Sequence, residues 1–184
     1  MRLASLFAAA TLLVAPALAA RAMIKTTAAP APPKSVLRAE LLSDLDDVGK
    51  KVMQLATAIP AGKYSWRPAR GVRSVSEVYM HIAGGNYFAA AAISRKSVSG
   101  DTQTLEQIAE KDRVLEELRK SFDQLHDAIV AASDADLDKN VKMYGTDTTE
   151  RAAMLTALNH VHEHLGQSIA YARMNGIVPP WSAM

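Results

Sequence analysis

Four stretches of this chain carry apolar residues at every third or fourth position, and no stretch alternates convincingly like a strand. From Ser35 to Ala58, Leu37, Leu41, Leu45, Val48, Val52 and Leu55 make one buried stripe, which Pro60 and Gly62 end. After a loop from Ala61 to Arg73, Ser74-Val75-Ser76-Glu77 is a capping box, in which the Ser and Glu side chains serve free amides of a first turn. A second helix is therefore expected from Ser74 to about Arg95. Ser97 to Asp101 reads as a turn. Thr104-Leu105-Glu106-Gln107 repeats the capping signature, and Ile108, Leu115, Leu118, Phe122, Leu125 and Ile129 carry a third helix to about Ala132. Ser133 to Asp147 is polar and reads as a loop with at most one short turn. Asp147-Thr148-Thr149-Glu150 caps a fourth helix, which ends near Asn175-Gly176 ahead of Pro179-Pro180. The fold class that follows is all-α, a four-helix bundle, with helix order left open by the long connections.

The first twenty residues stand apart. Arg2 precedes an apolar, Ala-rich run from Leu6 to Leu18, and Ala17-Leu18-Ala19 gives the small-x-small pattern of a secretory signal peptide. The run is short for a membrane span and contains Pro16, so cleavage after Ala19, or at Ala20 or Ala22, is expected rather than anchoring. Pro30, Pro32 and Pro33 then mark residues 21–35 as a flexible linker before a domain at 36–184. The expected location is outside the cytoplasm, periplasmic or secreted, with no membrane attachment after cleavage. The chain has no Cys, which removes disulfides, thiolate ligands and cysteine nucleophiles at once. Its net charge of +2 comes from Lys and Arg scattered among acids, with no basic stripe, so nucleic acid is not an expected partner.

Three of the five histidines fall within His160-Val161-His162-Glu163-His164, inside the fourth helix. Residues four apart on a helix lie on one face, about 5–6 Å apart, so His160 and His164 can address one point. His162 falls on nearly the opposite side. Without cysteine, a metal site needs His, Asp or Glu, and His81 and His126 are the remaining imidazoles. His81 lies close to the apolar stripe of the second helix, beside Val78 and Ile82, where a bundle brings side chains together. His126 sits at the edge of the third helix's face with nothing to partner it. Three neutral imidazoles hold a divalent ion and leave a position for water, whose pKa falls to about 7 on such an ion.

Weighed singly, these features are weak. An HxxxH pair is a frequent surface accident, and a lone core histidine is more often hydrogen-bonded than ligating. Glu163 does not directly follow the first His, as it does in HExxH, and reads as a solvated or supporting group. Trp66, Tyr79 and Phe88 read as packing residues, and Trp181 as a tail anchor. The paired Gly84 and Gly85 point to close helix contact or a kink.

Lys63-Tyr64-Ser65-Trp66-Arg67-Pro68 and Gly71-Val72-Arg73-Ser74-Val75, leading to His81-Ile82, resemble the first half of the DinB-like superfamily. Asn159-His160, His164-Leu165-Gly166-Gln167, Tyr171 to Gly176 and Pro179-Pro180 are similar to its last helix and exit. The resemblance covers about Leu37 to Pro180. It implies a four-helix bundle with a divalent metal, zinc or nickel, on three histidines, which by motif are His81, His160 and His164. The resemblance also implies relatives that are thiol-dependent transferases or isomerases using small thiol cofactors, others that hydrolyse, many with no known activity, and frequent homodimers. The Ala89-Ala90-Ala91-Ala92 run suits close helix contact in such a dimer. The chain departs from the pattern in its export signal, because thiol cofactors are scarce outside the cell, and in His162-Glu163.

Two functions follow. In one, the protein is an exported metal-dependent hydrolase or transferase, with Gln167 and Asn86 as candidates to support the ligands. Gln167 lies one turn beyond His164, whereas five residues separate Asn86 from His81 and turn it off that face. In the other, the protein is a non-catalytic bundle that binds metal or ligand and forms a dimer. A plain bundle with packing histidines is the remaining reading.

Overall fold

The computed structural model describes residues 36–98, 102 and 104–182. The expected leader, the linker and residues 99–101 of the expected turn lie outside these residues. The four helices are α1 (Val36–Ala58), α2 (Val75–Ser94), α3 (Lys111–Ala131) and α4 (Glu150–Met174). Their core sides carry the predicted stripes, with Leu41, Leu45, Val48, Val52 and Leu55 of α1 all buried. Helix α2 packs against both α3 and α4, and α1 packs against the same two. The order around the bundle is therefore α1–α3–α2–α4, with α1 and α2 on a diagonal.

The chain between α1 and α2 folds back on the bundle. The Tyr64 hydroxyl donates to the Ala56 carbonyl at 2.8 Å, and the Ser76 amide donates to the Tyr64 carbonyl at 2.9 Å. The open C-terminal end of α1 is met by α3, where Lys111 Nζ donates to the carbonyls of Thr57 and Ile59 at 2.7 and 2.8 Å. A cation at that end also complements the helix dipole. At the start of α2 both bonds of the predicted capping box are present. The Glu77 amide donates to Ser74 Oγ, and the Ser74 amide donates to Glu77 Oε2 at 2.7 Å. Helix α2 is unbroken through Gly84 and Gly85, and a close contact with α4 accounts for Gly85, whereas Gly84 has room for a side-chain carbon. The run Ala89 to Ala92 is buried inside this chain, where it packs the bundle itself.

Three boundaries differ from expectation. The second capping signature does not start α3. Leu105–Gln107 forms one 3-10 turn with no cap from the Thr104 side chain, and Ile108 is extended. Helix α3 starts at Lys111, where the Glu110 carboxylate accepts from the amides of Asp112 and Arg113, both at 3.0 Å. The buried side of α3 is also rotated, with Val114 and Ser121 inside and Leu115 and Phe122 at the flank. The polar segment after α3 contains an antiparallel hairpin, β1 (Asn140–Met143) with β2 (Thr146–Thr149), in which Asn140 pairs with Thr149 and Met143 with Thr146. Val141 and Met143 point inward from it. Its two-residue turn places Tyr144 and Gly145 at φ 51° and 77°, the left-handed pair that a tight hairpin needs. Helix α4 is capped by Thr149 rather than Asp147, because Asp147 is held in β2, where it pairs with Lys142.

One ion pair locks α2 to α4. Arg95, in left-handed conformation just past α2, bonds to Glu150, the first residue of α4. Burial pushes the Glu150 carboxyl up, and Arg95 pulls it back down. Glu150 is 1% exposed and Arg95 42% exposed. Replacing Arg95 with Met should cost about 2 kcal/mol in a urea titration, less than the ~3–5 of a fully buried pair because the guanidinium is partly in water. Adding Glu150→Gln should recover much of that loss. A single variant as stable as wild type would show that the pair contributes nothing.

Candidate metal centre

The close approach of α2 and α4 brings His81, His160 and His164 together. Their ring centroids are 5.0 Å (81–160), 4.7 Å (81–164) and 4.6 Å (160–164) apart. One ligating nitrogen from each lies within 4.8 Å of the others. Three imidazole nitrogens at ~2.0–2.1 Å from a tetrahedral ion would sit about 3.3 Å apart, so a small inward rotation of the rings closes the set. His160 fits because residue 85 has no side chain. A Cβ on Gly85 would lie 2.4 Å from Cε1 and 2.7 Å from Nδ1 of His160.

Two of the rings are held through Nδ1. That of His81 lies 3.2 Å from Glu106 Oε1, and that of His164 lies 2.8 Å from Gln167 Oε1. Donation from Nδ1–H to these oxygens leaves Nε2 as the free donor atom of each ring, the arrangement that orients a metal-ligating histidine. The bonds continue outward and link the two supports. Gln167 Nε2 donates to the Tyr171 hydroxyl at 3.1 Å, and that hydroxyl donates to the Arg73 carbonyl at 3.2 Å. Arg73 Nε in turn donates to both Glu106 oxygens, at 3.1 and 3.2 Å. Arg73 thus ties the support of His81 to the support of His164. The edge of Trp66 packs against the Tyr171 ring, with centroids 5.5 Å apart.

The electrostatics keep two of the imidazoles ready to ligate. Burial, then the two neighbouring imidazoles and Arg73, hold His160 down at about 4. Burial, then Arg73 and His164, also lower His81, with Glu106 opposing. Both rings are neutral at neutral pH, so no proton has to leave before their lone pairs are offered. A cavity of about 490 Å³ opens beside His81 and His160, walled in part by Met80, Phe88, Tyr144, Asn159 and Glu163.

The expected site residues divide as follows. The three histidines meet, and Gln167 bonds to one of them. Asn86 does not join them: it is buried between α2 and α3, where its amide donates to Ser121 Oγ at 3.1 Å. His126 and His162 stay apart, near Asp46 (3.9 Å) and Asp44 (3.8 Å) respectively. Tyr79 is buried, and Trp66 and Trp181 pack against the core. Phe88, expected as a packing residue, is instead exposed on the cavity wall, and Glu163 stands on that wall as well. The sequence reading missed Glu106, Arg73 and Tyr171 as supports. Tyr171 could have been found, since it lies four residues from Gln167 on the same helix face. Glu106 was hidden behind an apparent capping box, and Arg73 acts from a loop, beyond any local spacing rule.

The depressed His160 has a consequence for the metal-free protein. The unfolded ring, near 6.5, takes up a proton before the folded ring at about 4 does. Stability should be full above pH 6.5, fall as pH drops toward about 4, and then level off. In urea titrations of chelator-treated protein, His160→Asn should show a shallower fall over this window. Equal slopes for the two proteins would contradict the assignment.

Residues 44–168 match the DinB superfamily. Among solved structures, the chain is similar to a DinB-like protein from Bacillus cereus ATCC 10987, with TM-score 0.68 and 18% identity, over 76% of this chain and 93% of that one. It is also similar to a DinB-like protein from Bacillus subtilis, with TM-score 0.61 and 23% identity, over 74% and 92% of the two chains. A conserved protein from Enterococcus faecalis gives TM-score 0.64 and 13% identity, over 76% and 97%. At these identities the likeness speaks for the fold. No curated protein matches the chain. With a family match across most of its length and a four-helix bundle of the same fold, the chain belongs to the DinB superfamily.

Proposed function

We propose that this protein is exported and binds one divalent ion, zinc or nickel, through His81, His160 and His164, and that it uses the ion in hydrolysis or group transfer on a small molecule. The observation that carries this reading is the convergence of three imidazoles from two helices beside an open cavity. The donor set fits such an ion: all three donors are imidazole nitrogens, two with ring orientation fixed by hydrogen bonds. Once bound, the ion would supply Lewis acidity at the cavity wall. The chain's own residues do the rest. Glu106 and Gln167 keep the Nδ1 protons of His81 and His164 in place, Gly85 leaves room for His160, and Asn159 and Glu163 offer hydrogen bonds to a bound molecule.

Hydrolysis is favoured over thiol transfer by the leader-like residues 1–20, since thiol cofactors are scarce outside the cell. Among the described residues no helix is long and apolar enough to cross a membrane.

Metal content by mass spectrometry, on protein carrying no affinity His-tag, tests the reading. About one ion per chain is expected, falling to near zero in His160→Ala and His164→Ala. Wild-type protein without metal, even after refolding with zinc or nickel, would overturn it. Bound metal with no turnover across hydrolase and transferase panels would move the reading to a non-catalytic metal-binding bundle. Glu106→Ala should weaken metal affinity by about 10–100-fold.

Gly85→Ala separates the site from the fold. Alanine favours a helix interior by about 1 kcal/mol over glycine, yet its methyl group must push the His160 ring aside. Metal affinity should fall by about tenfold or more while the melting temperature of the metal-free protein changes little. Unchanged affinity would mean that His160 does not ligate in the position described.

A further inference from the structure

Phe88 and Tyr144 are two large rings left open to solvent, 40% and 56% exposed, and they touch each other with centroids 5.9 Å apart. They come from different elements, α2 and the hairpin turn, and together they wall the cavity beside His81 and His160. They also wall a second cavity of about 480 Å³, which Ala91, Val141 and Met143 line from the other side. The pair therefore stands as a partition between two hollows. The backbone adds an independent observation. Tyr144 sits at φ 51° in a two-residue turn, a position that Asn, Asp or Gly occupies at less cost than an aromatic residue. Backbone strain of this kind clusters at functional sites, ligand clamps among them.

We propose that Phe88 and Tyr144 form the apolar jaw of a binding site for a neutral amphipathic small molecule, with an aryl or alkyl body and a head carrying an N–H or O–H donor. The body lies against the two rings, and the head reaches toward His81, His160 and Glu163. The Glu163 side chain makes no hydrogen bond or ion pair among the described residues, so its carboxylate is available as an acceptor. That carboxylate disfavours an anionic head. A divalent ion on the histidines disfavours a cationic one, and this part of the argument rests on the metal-binding reading above. The cavity volume suits a molecule of this kind.

N-phenyl-1-naphthylamine, which is neutral, has two aryl groups and one N–H donor and brightens in apolar surroundings, is the probe. It is titrated into the protein both metal-loaded and chelator-treated. Saturable binding is expected at one site, weakened about tenfold or more in both Phe88→Ser and Tyr144→Gly, as for loss of a desolvated aromatic contact. Glycine suits the left-handed turn, so Tyr144→Gly keeps the hairpin. Metal content in both variants should equal that of wild type. No saturable binding, or equal binding by wild type and both variants, overturns the jaw while leaving a measured metal site intact. Wild type that binds the probe through these rings but holds no metal retains the jaw and removes the metal reading. A dimer in sedimentation that dissociates in both variants overturns the proposal in favour of a second copy covering the rings.

Discussion

The imidazole of His160 occupies the space that a side chain at position 85 would fill. That contact lets α2 and α4 approach closely enough for rings from both to share one point. Helix α2 is buried on nearly all sides, and its close packing against α3 and α4 relies on small residues from Ala83 to Ala92. A side chain at position 85 would displace the His160 ring from the place where it meets His81 and His164. The geometry of the site is thus set by the absence of one methyl group.

Support for the rings is shared between segments far apart in sequence. Glu106 comes from a 3-10 turn ahead of α3, Gln167 and Tyr171 from α4, and Arg73 from the loop before α2. Arg73 serves both sides, with its guanidinium on Glu106 and its carbonyl on Tyr171. Through this chain of bonds, a shift of the loop would be felt at two histidines together. The late start of α3 belongs to the same arrangement. In the turn that forms instead, Glu106 is placed against His81 and Arg73.

The parts of the fold that follow local rules were legible in the sequence. Ser74 and Glu77 announced the start of α2, the four-residue spacing placed His160 beside His164, and Gln167 was within one turn of its partner. The second capping signature misled because Glu110 competes for the same role with better geometry. The hairpin was illegible because its strands are four residues each and only Val141 and Met143 carry an inward pattern. Phe88 has the chemistry of a core residue, and only the arrangement of three elements around it leaves its ring in the open. Asn86 shows the reverse, a polar side chain near the site in sequence and spent on Ser121 in space.

The diagonal placement of α1 and α2 bears on the order in which the molecule can assemble. Neither helix of the first half packs mainly on the other, and both rest on α3 and α4. A growing chain that has produced only α1 and α2 therefore has no native hairpin to form, and its apolar stripes stay without their partners. His81 meets the other two histidines only after the final helix is made. Contacts of such long sequence separation are costly to close early, so before α4 is made the native packing open to the chain is that of α3 on α1 and α2. The corner that holds the three histidines thus depends on the last helix, whereas α3 can already rest on the two helices made before it.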